Sequence, residues 1–342
     1  MPAPDPVAEI RIVTLTTLHG ANYWSRRPVT RLDLAVGAFD DISSADVGGA
    51  TEGLLKVLPG LRDHRCSVGR RGGFVARLRQ GTYAPHILEH VALELQSMIG
   101  HDVGYGRARG GDRRGEYTVV FEHLHSGVGL RTAAHALDLV QAVLAERVPD
   151  VGSALAELRA LARTPEPATP TRQHVACGVI GGANRAQVRD MVAARERLRG
   201  HAVVDVAPGY LLSCGLPYAS SDLAVVLDAC PVDVPERYRD PALARRLHSV
   251  VAEAVTAGGF VVAPAMDSEL HRMIAGTGAG LATFSVNGGE AAAPVHAEVR
   301  GRQIIVMEAR RVVSREPLDL QQPREAQLIA ALAEYLIDRG TA

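Results

Sequence analysis

Apolar positions in the first half of the chain follow two spacings, one typical of strands and one typical of helices. Alternation with a period of two predicts strands at 8–17, 30–36 and 116–122. Helical spacing predicts helices at 49–58, 86–98, 130–148 and 151–162. Because strands and helices do not alternate strictly here, the pattern predicts an α+β N-terminal domain.

The second half changes to a repeated order of strand, turn and helix. It predicts strands at 175–180, 222–228, 259–263 and 281–286, helices at 184–199, 240–257, 267–276 and 323–339, and a hairpin at 295–299 and 303–307. This alternation predicts an α/β domain with a mainly parallel sheet. A proline- and threonine-rich linker separates the two halves, so the predicted organisation is 1–163, 164–173 and 174–342.

One predicted helix carries an unusual polar edge beside its apolar stripe. The stripe consists of Ile87, Val91, Leu95 and Met98. Thr82 is the predicted N-cap, Pro85 suits the first turn, and Gly100 suits the C-terminal end. The helix is therefore expected to pack on the core while its polar edge faces a cleft.

The polar edge combines two histidines with two glutamates. His86, His90 and Glu94 lie at intervals of about 40° around the helix, and Glu89 lies about 60° to the other side of His86. Two imidazoles and a carboxylate form the ligand set of many hydrolytic zinc sites. His86-x-x-Glu89-His90 also matches the inverted zincin pattern, in which the glutamate is a base. The alternative is an amphipathic helix with two surface histidines.

Composition and charge argue against several classes of function but do not identify one. The net charge of −1 at pH 7 gives no general attraction to nucleic acid. No apolar run approaches membrane-spanning length, and the N-terminus lacks a signal-peptide pattern, so we expect a cytoplasmic protein without membrane contact. The four cysteines form no Cys-x-x-Cys pair, which predicts reduced thiols and argues against a cysteine-based metal site. Lys56 is the only lysine.

Several motifs resemble the N-terminal domain of cyanophycin synthetase across residues 8–145. They are Asn22–Ser25, Cys66–Phe74, Gly81–Tyr83, His86–Gln96 and Gly104–Arg107. Cyanophycin is a poly-aspartate main chain that carries arginine on each side-chain carboxylate. The resemblance implies polymer binding and, as in some members of that family, a metal-dependent site that hydrolyses the polymer.

Three further runs, Gly209–Leu216, Ser221–Val226 and Val262–Leu270, are landmarks of another domain. Through them the second half resembles, in a decayed form, the Mur-ligase-like central domain of the same synthetase. A working phosphate loop needs a lysine and a hydroxyl at its end, but here the run Gly181–Gln187 has Arg185 and Ala186 at those positions. The proline-rich linker stands where the family has an ATP-grasp domain. We therefore expect no ATP cofactor and no ligase activity, and we expect the second domain to form a homo-oligomer surface.

The resulting hypothesis is an endo-hydrolase of cyanophycin. It assigns His86, His90 and Glu94 to Zn²⁺, with the identity of the metal open, and Glu89 to the general base. The substrate-binding candidates are Arg70, Arg71, Arg107 and Arg109 for carboxylates, with Tyr83 and Trp24 for stacking on guanidinium groups. One alternative is a non-catalytic protein that binds or regulates the polymer. A residual ligase is the other, and the absence of a lysine from the loop argues against it.

Overall fold

The computed structural model describes residues 4–66, 69–168, 172–228, 233–288 and 290–340. Contacts within the chain divide it into two compact units. The first comprises Met1–Leu18 and Arg27–Thr169, and the second comprises His19–Arg26 and Pro170–Ala342. The short segment 19–26 thus belongs to the second unit, whereas the sequence prediction placed it in the N-terminal domain.

The first unit is an α+β structure. Its strands are β1 (Arg11–Leu18), β2 (Val29–Ala35), β3 (Gly106–Gly110) and β4 (Glu116–Glu122). Its helices are α1 (Pro6–Glu9), α2 (Ala50–Val57), α3 (Gly73–Gln80), α4 (Ala84–Met98), α5 (Ser126–Leu144) and α6 (Val151–Leu161). Short 3-10 turns cover Gly37–Asp40 and Pro59–Asp63.

The four strands form one antiparallel sheet in the order β1-β2-β4-β3. Alternate residues of β2 and β4, among them Leu32, Leu34, Val119 and Phe121, are buried in the core with residues of α4 and α5. Strand β3 lies at the edge of the sheet beside α4. The predicted strands are confirmed, but β3 was not predicted because Gly-Arg-Ala-Arg-Gly has no apolar alternation.

Helix α4 is the predicted His/Glu helix. Pro85 occupies its first turn, and Gly100 follows its end with a φ of 90°. Val91 and Leu95 of the predicted stripe are fully buried. The N-cap residue is Tyr83 rather than the predicted Thr82. The Thr82 hydroxyl lies 2.8 Å from the His86 side chain, at Nδ1, and so bonds to a side chain rather than to a backbone N–H of the first turn.

The second unit contains the remaining strands and helices. Its strands are β5 (Arg172–Ile180), β6 (Val203–Val206), β7 (Tyr218–Val226), β8 (Val255–Pro264), β9 (Gly280–Ser285), β10 (Val295–Arg300), β11 (Gln303–Glu308) and β12 (Arg311–Pro317). Its helices are α7 (Arg185–Ala193), α8 (Pro208–Cys214), α9 (Pro241–Ser249), α10 (Ser268–Ala275) and α11 (Arg324–Gly340).

These eight strands form a sheet in the order β12-β11-β10-β9-β8-β7-β5-β6. Every pairing from β6 to β10 is parallel, and β11 and β12 continue the sheet antiparallel. The predicted α/β architecture with a mainly parallel sheet is therefore confirmed. None of the described helices combines the length and the hydropathy that crossing a bilayer would need. Self-association through this unit stays a prediction.

Candidate metal centre

Three side chains from two separate segments converge beside α4. Cys66 lies in the loop before α3, and His86 and His90 lie one turn apart on α4. One ligand atom from each lies within 4.8 Å of the others, and His86 Nε2 is 3.3 Å from Cys66 Sγ. A thiolate and two imidazoles are a donor set that a divalent metal ion such as Zn²⁺ accepts.

The hydrogen bonds of His86 suit a metal ligand. Its Nδ1 lies 2.8 Å from Thr82 Oγ1, and Thr82 is itself held by a bond from its backbone N–H to Ser44 Oγ at 3.0 Å. When Nδ1 carries the proton and donates it to Thr82, Nε2 keeps a lone pair facing Cys66. Threonine thereby plays the orienting part that metal-bound histidines usually require of a neighbour.

His90 is oriented by a longer chain of hydrogen bonds. Its Nδ1 lies 2.8 Å from Nδ1 of His64, and Nε2 of His64 lies 3.1 Å from the Glu94 carboxylate. A carboxylate only accepts, so a neutral His64 donates from Nε2 to Glu94 and accepts at Nδ1. His90 must then donate from Nδ1, which leaves its Nε2 unprotonated and able to bind a metal.

Both helix histidines are held in the neutral form that metal binding needs. The ring of His90 stacks on Phe74, with 3.9 Å between centroids, and its side chain is buried. Burial, reinforced by His86 and His64, lowers the pKa of His90 to about 2. Burial and the nearby Arg77 also lower the pKa of His86 below its ordinary value. Neither ring therefore competes for protons with a bound cation near neutral pH.

The Glu94 carboxylate contacts His64, whereas the sequence predicted that it would be a third metal ligand beside His86. Eight residues separate His86 from Glu94, and a rise of 1.5 Å per residue puts their Cα atoms about 12 Å apart along the helix. The angular positions of these residues around the helix, from which the site was predicted, do not include this axial distance. Gly60 makes room for the carboxylate, since a Cβ there would overlap it. Glu94 is thus part of the chain of hydrogen bonds, and Cys66 is the third donor that lies beside His86 and His90.

Glu89 is buried against the edge strand β3. Its side chain is packed over Gly106, where a Cβ would come within 2.7 Å of Glu89 Cγ. The backbone of Ala108 is hydrogen-bonded to the carboxylate, so the Ala108 N–H is the donor. Burial raises the pKa of Glu89 to about 7, although Ala108 and Arg107 act in the opposite direction. A carboxyl group tuned to this range is suited to accept and return a proton.

A cleft of about 1110 Å³ opens over these groups. Its lining includes Cys66, His86 and His90, which we call the metal cluster, together with His64, Glu89 and Glu94. Three of the predicted substrate residues, Tyr83, Arg107 and Arg109, also line it. Two further arginines that were not predicted, Arg65 and Arg77, also line it. The cleft is thus rich in guanidinium groups around a buried carboxylate, as binding of carboxylate groups would require.

Three predicted substrate residues lie elsewhere. Arg70 and Arg71 are exposed outside the described lining of the cleft, and Arg71 is paired with Asp63 at 2.7 Å. Trp24 belongs to the second unit, where it is 5% exposed and its indole N–H donates to the Leu212 carbonyl. A ring buried in this way offers little face for stacking on a guanidinium group, and a role of Trp24 in substrate binding stays a prediction.

Neither His64 nor Cys66 was among the residues predicted to form the site. Their spacing, His64-Arg65-Cys66, was a usable signal, because a histidine and a cysteine two residues apart can both reach one site. The cysteine pattern alone does not reveal it, because the four cysteines form no Cys-x-x-Cys pair. Cys66 also has a left-handed backbone, with φ of 55°, which few residues other than glycine adopt.

The glycine-rich loop of the second unit is arranged quite differently. Gly181 connects β5 to α7 with a φ of 95°, where a Cβ would meet the Asp228 carbonyl. Arg185, whose side chain is 17% exposed, donates to the Gly182 carbonyl at 3.4 Å and lies 3.6 Å from Asp205 and 4.0 Å from Asp233. The guanidinium group of Arg185 therefore lies among the carboxylates that surround the loop. The expected lack of an ATP cofactor stays a prediction.

Comparison with known proteins bears on the first unit. Residues 31–145 match the family model described as the cyanophycin synthase-like N-terminal domain. Every residue of the metal cluster, its hydrogen-bonded neighbours and Glu89 lies inside the matched range, whereas Trp24 lies outside it.

Curated proteins that are similar to this region of the chain are named cyanophycin synthetase. The protein from Synechocystis sp. is 43% identical over 142 residues, which cover 40% of this chain and 16% of the relative. The protein from Trichormus variabilis is 44% identical over 139 residues, which cover 40% of this chain and 15% of the relative. The chain thus spans only about a sixth of the length of these relatives.

Two solved ligase structures from Acinetobacter baumannii also resemble the chain. One is UDP-N-acetylmuramoylalanyl-D-glutamyl-2,6-diaminopimelate--D-alanyl-D-alanyl ligase, with a TM-score of 0.31 and 11% identity, covering 50% of this chain and 43% of that one. A second, a crystal structure of MurF, has a TM-score of 0.32 and 14% identity, covering 57% of this chain and 47% of that one.

Proposed function

We propose that the protein is a metal-dependent hydrolase that cuts the main chain of cyanophycin at internal positions and releases short (β-Asp-Arg) oligomers. The observation that carries the proposal is the convergence of Cys66, His86 and His90 in the cleft, with both histidines hydrogen-bonded as metal ligands are. A structural histidine pair would not need the chain from His90 through His64 to Glu94.

The residues fit a metal ion by the chemistry of their donors. Cys66, His86 and His90 would hold it, and a fourth position would remain for water or substrate. A divalent cation bound there would polarise the scissile carbonyl and acidify the attacking water. Sulfur and nitrogen donors together favour Zn²⁺ over Mg²⁺ or Ca²⁺.

Glu89 supplies the proton transfer. Its carboxylate takes one proton from water while the water oxygen bonds to the carbonyl carbon of the scissile amide. The carbon–nitrogen bond then breaks, and Glu89 returns the proton to the leaving amine. The Ala108 N–H holds the carboxylate in place, and Gly106 lets it approach the strand closely.

The arginines of the cleft favour a substrate rich in carboxylates. Each repeat of cyanophycin carries an arginine with its own carboxylate, which Arg77, Arg107 and Arg109 would bind as guanidinium–carboxylate pairs. Tyr83, 45% exposed at the start of α4, would stack on a substrate guanidinium group. Relatives named cyanophycin synthetase support this choice of polymer.

Incubation of the purified protein with cyanophycin tests the proposal. We expect the polymer to shorten to small oligomers, the reaction to stop with a chelator, and Zn²⁺ to restore it. Metal content measured by elemental analysis should be near one ion per chain. Polymer binding without any shortening, at full metal occupancy, would support the non-catalytic alternative instead.

A further inference from the structure

The edge of β3 that borders the cleft has backbone groups directed away from the sheet. In an antiparallel pair, residues alternate between those bonded to the neighbouring strand and those facing outward. Tyr105 O accepts from the Glu122 N–H, and the Gly111 N–H donates to Glu116 O, on either side of the paired stretch. Bonding to β4 therefore falls on residues 105, 107, 109 and 111.

Gly106 and Ala108 consequently direct their N–H and C=O groups to the outer edge. The contact between the Ala108 N–H and the Glu89 carboxylate agrees with this direction. The Ala108 carbonyl and both backbone groups of Gly106 then face the cleft, whose lining includes both residues. These groups repeat every second residue, at about 6.8 Å, which matches the spacing of an extended strand.

We infer that an extended stretch of the substrate main chain binds along Gly106–Ala108 as an added β-strand, beside the metal cluster. The inference rests on the proposed function, because poly-aspartate has an ordinary peptide main chain that can bond to a strand edge. Main-chain bonding of this kind explains how a cleft grips a polymer with identical repeats without reading a sequence.

The side chains beside this edge complement the substrate charge. Arg107 and Arg109 lie opposite Val120 and Thr118 and share one face of the sheet, whereas Ala108 lies on the other. In an added strand, alternate substrate side chains would stand on the same face as the two arginines. Their arginyl carboxylates would pair with these guanidinium groups, and the intervening repeats would face α4.

Synthetic (β-Asp-Arg) hexamers with one main-chain amide methylated at a time provide the test. Binding is measured by calorimetry to the Zn²⁺-loaded Glu89→Gln protein, and cleavage is measured with the unchanged protein. We expect methylation of either of the two amides that donate to the Gly106 and Ala108 carbonyls, which lie two residues apart, to weaken binding about tenfold, the equivalent of one hydrogen bond of about 1.4 kcal/mol, and methylation of the amide between them to matter little. Equal effects at all positions, or none, would overturn the inference while leaving hydrolysis intact.

Hydrogen exchange on the protein gives an independent readout with internal controls. The Gly106 N–H should become protected when the unmodified hexamer binds. The Arg107 and Arg109 amides, which face β4, should not change. Binding without protection of Gly106 would contradict the added strand. If the metal-loaded protein neither binds nor cleaves the hexamer, the proposed function fails as well.

Discussion

The metal cluster beside α4 and the glycine loop before α7 both combine a loop with a helix, yet their polar side chains are bonded in opposite ways. In the first, the hydrogen bonds of His86 and His90 occupy Nδ1 and leave Nε2 for an ion. In the second, Arg185 lies among the Gly182 carbonyl, Asp205 and Asp233. A guanidinium group held by neighbouring carboxylates contributes to the fold, whereas ring nitrogens left for a ligand in a cleft indicate a functional site.

The largest effect that would test this contrast is expected for Glu89→Gln. Glutamine keeps the size of the side chain but cannot accept the proton from water, so kcat should fall by about 10²- to 10⁴-fold. Metal content should not change, because Glu89 is outside the ligand set. Glu52→Gln, a change on the exposed surface of the same unit, is the control and should leave kcat unchanged. Undiminished cleavage by Glu89→Gln would remove it from the base role.

Cys66→Ser should remove most of the bound metal. A serine hydroxyl stays protonated near neutral pH and is a poor replacement for a thiolate ligand. Elemental analysis after dialysis measures the occupancy, and cleavage should fall in parallel. Cys214→Ser, at an exposed cysteine of the second unit, is the matched control. Equal occupancy in the two variants would show that Cys66 is not a ligand.

Glu94→Gln distinguishes an orienting carboxylate from a ligand. Because Glu94 contacts His64 rather than the metal cluster, its loss should weaken metal affinity by about 10- to 100-fold without abolishing binding. His86→Ala, which removes a ligand, should lower affinity much further. Competition with a chromophoric chelator measures both. Equal losses would return Glu94 to the ligand set predicted from the sequence.

The smallest effects are expected at the glycine loop. Arg185→Ala removes partly exposed ion pairs, so the free energy of unfolding should fall by about 1 kcal/mol or less, with cleavage unchanged. Arg185→Lys should not create ATP binding, because Ala186 offers no hydroxyl to Mg²⁺ and Asp205 and Asp233 repel phosphate. Denaturation and nucleotide titration measure these outcomes. ATP binding by the lysine variant would show that the loop can still bind a nucleotide despite the carboxylates around it.

Much of the fold was predictable, because apolar periodicity reports which face of an element is buried. Helix α4, strands β1, β2 and β4, and the parallel strands β5, β7, β8 and β9 all followed from it, whereas β6 and the order of the strands did not. Strand β3 did not follow either, since it has no apolar alternation of its own and packs beside α4. The missed strand is also the one that positions Glu89.

The sequence by itself determined what lies within one helix. The interval of four residues between His86 and His90, and the place of Glu89 between them, follow from helical geometry. Only the tertiary structure decided what meets that helix, because the path of a loop is not encoded in local spacing. It places Cys66 and His64 beside the histidines, Glu94 against His64, and Trp24 in the second unit.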